Sequence, residues 1–293
     1  MDPVATEPAS TPNCRPRWPV VALAVLLGAQ LVLAGLFVAR QPQTVLPPPP
    51  AAAAPAPGGQ REVTLVSLGG VATDPLLRRV TTELDGAVDA VESFWGPEWP
   101  HEIVIVATDT EEEFRAQATG VGDTSHIAAV TVADSVNPQE NSANGQRIVF
   151  APGAVAMSPE ALRVVLTHEL FHYATRAATA ADAPRWITEG VADYVARPMY
   201  PGSITRGPLP TALPSDRDFA APEPDLSLAY DRAWLFARYI ADRYGVPALR
   251  ALYVRAAGPH HTDAETALWE VLRARPADAL QGWQEWCVRN GLA

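Results

Sequence analysis

The chain contains no lysine and only two cysteines, Cys14 and Cys287, among its 293 residues. Cys14 precedes the chain's long apolar run and Cys287 follows it, so the two are expected on opposite sides of a membrane and not to pair; the fold does not depend on disulfides, and neither cysteine is placed to bind a metal. Positive charge is also scarce. All 22 basic residues are arginines, and they face 33 acidic ones for a net charge of −11. An acidic chain of this kind is not expected to bind nucleic acid. No internal repeat is evident. The one acidic run, Glu111-Glu112-Glu113, follows Thr110 and fits the first turn of a helix, where negative charge is favoured, so it needs no ligand.

One long apolar run is present. Val20 to Ala39 is apolar except for Gln30 and lies between Pro19 and Arg40. Twenty helical residues span about 30 Å, the thickness of a bilayer core. Bulky Phe37 stands where signal cleavage wants a small residue, and Cys14 precedes the run, which excludes a lipobox. The expected organisation is a cytoplasmic tail over 1–18, a transmembrane anchor over 19–40, a Pro/Ala-rich linker over 41–60 and a catalytic domain over 61–293. Arg15 and Arg17 precede the span, so the positive-inside rule puts the domain on the outer side of the cell membrane, with a single pass. Gln41 to Gly59 holds seven prolines, as an extended spacer would.

Within the domain, alternation and turn signals predict strands over Glu62–Leu68, Ile103–Ala107, Ala128–Ala133 and Arg147–Ala151, the last two joined by a polar loop containing Asn144-Gly145. Helical spacing predicts helices over Asp74–Phe94 and Thr110–Thr119, and again over Leu226–Tyr244, Pro247–Ala256, Asp263–Arg273 and Ala277–Asn290. Trp234, Trp269, Trp283 and Trp286 are expected to pack this last, helical lobe. Pro201–Pro224 is long for a structureless loop and could rim a cleft.

Two short strings carry the chemistry: His168-Glu169-Leu170-Phe171-His172 and Glu189-Gly190-Val191-Ala192-Asp193. Ser158 as N-cap, Pro159 in the first turn and the spacing of Leu162, Val165, Leu166, Leu170 and Tyr173 predict a helix with the histidines off its apolar stripe. Histidines four apart lie one above the other on a helix and can share one metal ion. Glu169, about 100° away, is placed to take a proton from water. A catalytic zinc usually has three protein ligands. Thr175 and Ala178 stand where the glycine and the third histidine of a three-histidine site would follow, which points instead to a carboxylate. The small, turn-like Ala177–Pro184 lets Arg185–Val195 run back antiparallel, so that Glu189 could face His172. Asp193, one turn further on, could accept a hydrogen bond from a ligating histidine.

At these strings, "VLTHELFHYAT" and "PRWITEGVADYVA", the chain resembles the gluzincins, the thermolysin and aminopeptidase N superfamily of zinc peptidases, and in particular the peptidase MA-like domains of bacterial membrane-linked proteins. The resemblance extends more weakly from about Val71 to the C-terminus. It implies an α+β zincin fold with a mixed-sheet N-terminal lobe, an HExxH helix and a helical C-terminal lobe. It implies one Zn2+ on His168, His172 and Glu189, with Glu169 as base and Asp193 behind a ligand histidine. It also implies an edge strand that pairs with extended substrate, for which either of the two strands before the zinc helix could serve. Tyr230, in "LAYDRAWLFARYI", matches a tyrosine that stabilises the oxyanion in the aminopeptidase N family. The Gly-x-Met-Glu-Asn anchor for a substrate amino terminus has no counterpart, which favours an endopeptidase. No motif surrounds His126, His260 or His261.

The expected activity is therefore that of a membrane-tethered, extracytoplasmic zinc metallopeptidase acting on a peptide or protein substrate. The alternatives are an inactive zincin-fold module that binds a partner at the cell surface, and a zinc hydrolase of a non-peptide bond.

Overall fold

The computed structural model describes residues 61–121, 127–198, 208–222 and 224–292. The tail, membrane anchor and linker expected over 1–60 lie outside the described residues, as do Cys14 and His126. No helix among the described residues is long and apolar enough to cross a membrane.

A four-stranded sheet forms the first lobe. Strands β1 (Glu62–Ser67), β2 (Glu102–Ala107) and β6 (Arg147–Phe150) run parallel, and β3 (Ala129–Val132) pairs antiparallel with β6, giving the order β1-β2-β6-β3. Strand residues alternate between two faces. Ile103, Ile105, Ala107, Ile148 and Phe150 join the main core, whereas Val106, Val130, Val132 and Val149 form a smaller cluster with Phe114. Phe114 belongs to α2 (Glu111–Gln117), whose N-terminus is closed by a reciprocal bond between Thr110 and Glu113. This bears out the structural reading of the acidic run.

Against the main face lie α1 (Asp74–Trp95) and α3 (Pro159–Thr175). Helix α1 is amphipathic and buries Leu77, Val80, Leu84, Val88 and Val91, at about 1.5–3 kcal/mol for each large side chain. Helix α3 starts as expected, with Ser158 Oγ accepting from the Ala161 amide. Its expected one-sided stripe is corrected, because α3 is buried on nearly every side and Val164, Phe171 and Ala174 are as covered as the predicted positions. The helix is central, enclosed by the sheet, α1 and α4 (Arg185–Ala196).

The second lobe is helical: α5 (Asp225–Tyr244), α6 (Val246–Ala257), α7 (Ala264–Leu272) and α8 (Pro276–Arg289). Helices α4 and α5 pack closely at Gly190, where a Cβ would stand 2.7 Å from the Ala233 carbonyl oxygen. Trp234, Trp283 and Trp286 are buried in this lobe, but Trp269 is 49% exposed on α7, so its expected packing role is corrected. Cys287 is buried, and burial pushes its thiol up to about 11.

A third correction concerns the polar loop before β6. It contains a short antiparallel hairpin, β4 (Ser135–Asn137) with β5 (Ser142–Asn144), turning through Asn141 in the left-handed region. Its three-residue strands are polar and partly exposed, so they leave no alternation to read. The mixed sheet, central HExxH helix and helical lobe together form an α+β architecture.

Candidate metal centre

Helix α3 presents His168, Glu169 and His172, while α4 presents Glu189 and Asp193. His168 meets Asp193, and His172 meets Glu189. The earlier residue of α3 thus pairs with the later one of α4, so the two helices run antiparallel as the turn-like connection implied. The short 3-10 turn Arg176–Ala178 makes the reversal.

His168 Nε2 lies 3.1 Å from His172 Nε2 and 3.2 Å from Glu189 Oε2, and His172 Nε2 lies 3.5 Å from that same oxygen. A tetrahedral zinc with bonds of about 2.0–2.1 Å separates its ligand atoms by about 3.3–3.4 Å, so the triangle has the size that such an ion requires. Glu189 Oε2 is buried and makes no directional hydrogen bond, although both ring nitrogens are near. The three atoms cluster about a common centre, and the donor set of two imidazoles and one carboxylate suits zinc. Among the described residues, these three form a group able to hold a metal ion.

Behind the triangle the charges are paired. Asp193 Oδ1 lies 2.9 Å from His168 Nδ1, which leaves His168 Nε2 facing the centre. Asp193 Oδ2 accepts from Arg197 at 2.9 Å, and Arg197 donates also to Asp231 at 2.8 Å. The Arg197 guanidinium lies over the Trp234 ring at 4.2 Å, tying α4 to α5. Burial alone would push His168 down, but the carboxylates of Asp193 and Glu189 beside it outweigh that and raise the imidazole to about 10. For Glu189, burial favours the neutral acid, yet the two histidines hold it far below the carboxylate range. Asp193 is likewise held down against burial, by Arg197 and His168.

Glu169 faces a cavity of about 70 Å3 that it shares with His172 and Glu189. Burial raises its carboxyl, against the nearby histidines and Thr131. The Thr131 hydroxyl lies 2.9 Å from Glu169 Oε2 and 2.8 Å from its carbonyl oxygen, and can donate to either. Sequence reasoning missed Thr131. Its signal was weak: it is the lone polar residue of Ala129–Val132, in the register that faces α3. Arg197 was also missed, although a basic residue four positions after Asp193 on a helix is a legible pair.

Tyr230 is buried on α5, and its phenolic oxygen accepts a hydrogen bond from Arg185 Nη2 at 3.0 Å. Its ring meets Phe219 edge-on at 5.0 Å. The cavity wall at this point is formed by Arg185, so Tyr230 reaches the wall through that guanidinium. In the described part of the Pro-rich loop, Phe219 also contacts Arg185, by its carbonyl and its ring. A larger groove of about 1060 Å3 lies among α1, α6 and α7, but none of the metal-centre residues lines it.

The chain is similar to a two-domain M1 zinc metallopeptidase. That crystal structure, with L-tryptophan bound, shares 15% identity at a TM-score of 0.46, over 80% of this chain and 50% of the other. The chain thus spans about half the length of that structure. No family model and no curated protein matches the sequence.

Proposed function

We propose that residues 61–293 form a zinc-dependent peptidase of the gluzincin type. The observation that carries this reading is the convergence of His168 Nε2, His172 Nε2 and Glu189 Oε2 on a triangle of zinc dimensions beside a buried glutamate. When bound, zinc would supply Lewis acidity, polarising a carbonyl and acidifying a water.

The chain's own residues account for the rest. Asp193 orients His168, and Arg197 holds Asp193 in place. Glu169 receives the proton of the attacking water and returns it to the departing amine. Thr131 steadies that carboxylate from β3. Of the two strands that could pair with substrate, β3 is the one at the end of the sheet order, whereas β6 lies between β2 and β3. Strand β3 is thus the one to which an extended peptide would add. Tyr230 steadies Arg185 in the cavity wall. An inactive module would leave the buried Glu169 beside the metal ligands without a purpose. An endopeptidase action follows from the missing amino-terminal anchor, and tethering outside the membrane from the apolar run Val20–Ala39.

The test uses the full chain prepared without chelator. One zinc per chain and cleavage within a mixed peptide library are expected. Glu169→Gln should keep the zinc and lower hydrolysis by about 10²–10⁴-fold. Undiminished hydrolysis by that variant would overturn the mechanism.

A further inference from the structure

Beyond the groups that hold the metal and move the proton, the cavity carries two arginines, Arg176 and Arg185, and no acidic residue other than Glu169 and Glu189. This is unusual in a chain of net charge −11. Arg176 follows α3 directly, four residues after His172. Among the described residues no carboxylate lies within ion-pair distance of it, and its Nε is buried without a hydrogen-bond partner. Three polar side chains that line the cavity with it bond one another: the Tyr253 hydroxyl lies 2.9 Å from Thr179 and 3.2 Å from Thr175, and Thr179 bonds the Thr175 carbonyl. Arg185 is held from behind by Phe219 and Tyr230. A mostly buried guanidinium pays for its desolvation unless something anionic meets it, and its planar fork matches a carboxylate.

We propose that Arg176, with Arg185 on the same wall, recognises a carboxylate of the substrate, so that the site takes peptides bearing an acidic group beside the cleaved bond. This rests on the peptidase reading and names its substrate class. The carboxylate comes either from an acidic side chain or from the end of the peptide chain; both present the same two oxygens.

The experiment measures binding by calorimetry to the zinc-loaded full chain carrying Glu169→Gln, which stops turnover. The probes are acetyl-dialanine as free acid, the same peptide as its amide, and the α-amide of acetyl-alanyl-aspartate, whose one free carboxylate is on the side chain. One acidic probe should bind at least about tenfold more tightly than the neutral amide, equivalent to about 1.4 kcal/mol. Whichever probe gains identifies the source of the carboxylate. Adding Arg176→Gln should erase the gain and leave the amide's affinity in place, and Arg176→Lys should retain part of it. Equal binding of all three probes to the parent overturns the proposal without recourse to any variant. A gain that survives Arg176→Gln overturns it too, since the metal would then be reading the charge. Zinc content of the same samples keeps the two readings apart. A chain that holds zinc but shows no preference refutes the arginine clamp alone. In a chain without zinc the peptidase reading fails, while the acid–amide difference still decides the clamp.

Discussion

The two sides of α3 treat buried charge in opposite ways. On the side facing α4, each ion has a protein partner: His168 with Asp193, Asp193 with Arg197, and Arg197 with Asp231. On the cavity side, Glu169 accepts from the neutral Thr131 hydroxyl, and among the described residues no carboxylate lies within ion-pair distance of Arg176. Paired charges fix geometry, because breaking one pair strands another ion. A side chain that faces the cavity is available for chemistry, and the fold bears the cost of its burial. The ligand side is thus expected to govern metal affinity and stability, and the cavity side to govern turnover and substrate choice.

The comparison breaks first at Asp193. Asp193→Ala should destabilise the protein by about 3–5 kcal/mol, because it strands Arg197 and leaves the His168 Nδ1 without its acceptor. It should also weaken zinc binding by about 10–100-fold. Denaturant unfolding and a chelator competition measure the two effects. If both stay at the wild-type value, the paired side is not what holds the site.

A second effect is pH dependence in the zinc-free protein. His168 is raised from 6.5 to about 10, so its contribution to stability is fully present below pH 6.5 and is lost as the pH climbs through about 10. The melting temperature of the zinc-free chain should fall across that window. Zinc should abolish this dependence, because a ligating histidine carries no proton at its bound nitrogen. A zinc-free protein with a flat profile between pH 6.5 and 10 would contradict the pairing of His168 with Asp193 and Glu189.

The smallest expected change sharpens the contrast. Burial lowers the Arg176 pKa, against the opposing effect of Tyr253. Removing that charge by Arg176→Gln should therefore leave stability within about 0.5 kcal/mol of wild type, in contrast to Asp193→Ala. A large loss would mean that Arg176 is a structural residue.

Much of the centre was legible because helical periodicity is strict. Histidines four apart, and a glutamate and aspartate four apart on the next helix, can be placed against each other once the connection is short. The helices of the second lobe were equally plain, each starting or ending within a residue or two of its expected bounds. What escaped depended on tertiary context. Thr131 reaches Glu169 only because β3 lies at the sheet end beside α3, and no spacing encodes that neighbour. The burial of α3 on all sides hides the stripe that would separate its faces. The β4–β5 hairpin is too short and polar to alternate, and Trp269 faces solvent despite a composition that suggests packing. Arg185 at the cavity wall was unreadable because its position depends on Phe219, in a loop whose course the sequence does not specify.

The most direct test of the central claim is X-ray absorption at the zinc edge of the full chain. The account predicts two imidazole nitrogens and one carboxylate oxygen at about 2.0–2.1 Å, with the imidazole signal lost together with the metal in His168→Ala. A zinc-free preparation, or zinc whose imidazole signal is unchanged in that variant, would contradict it.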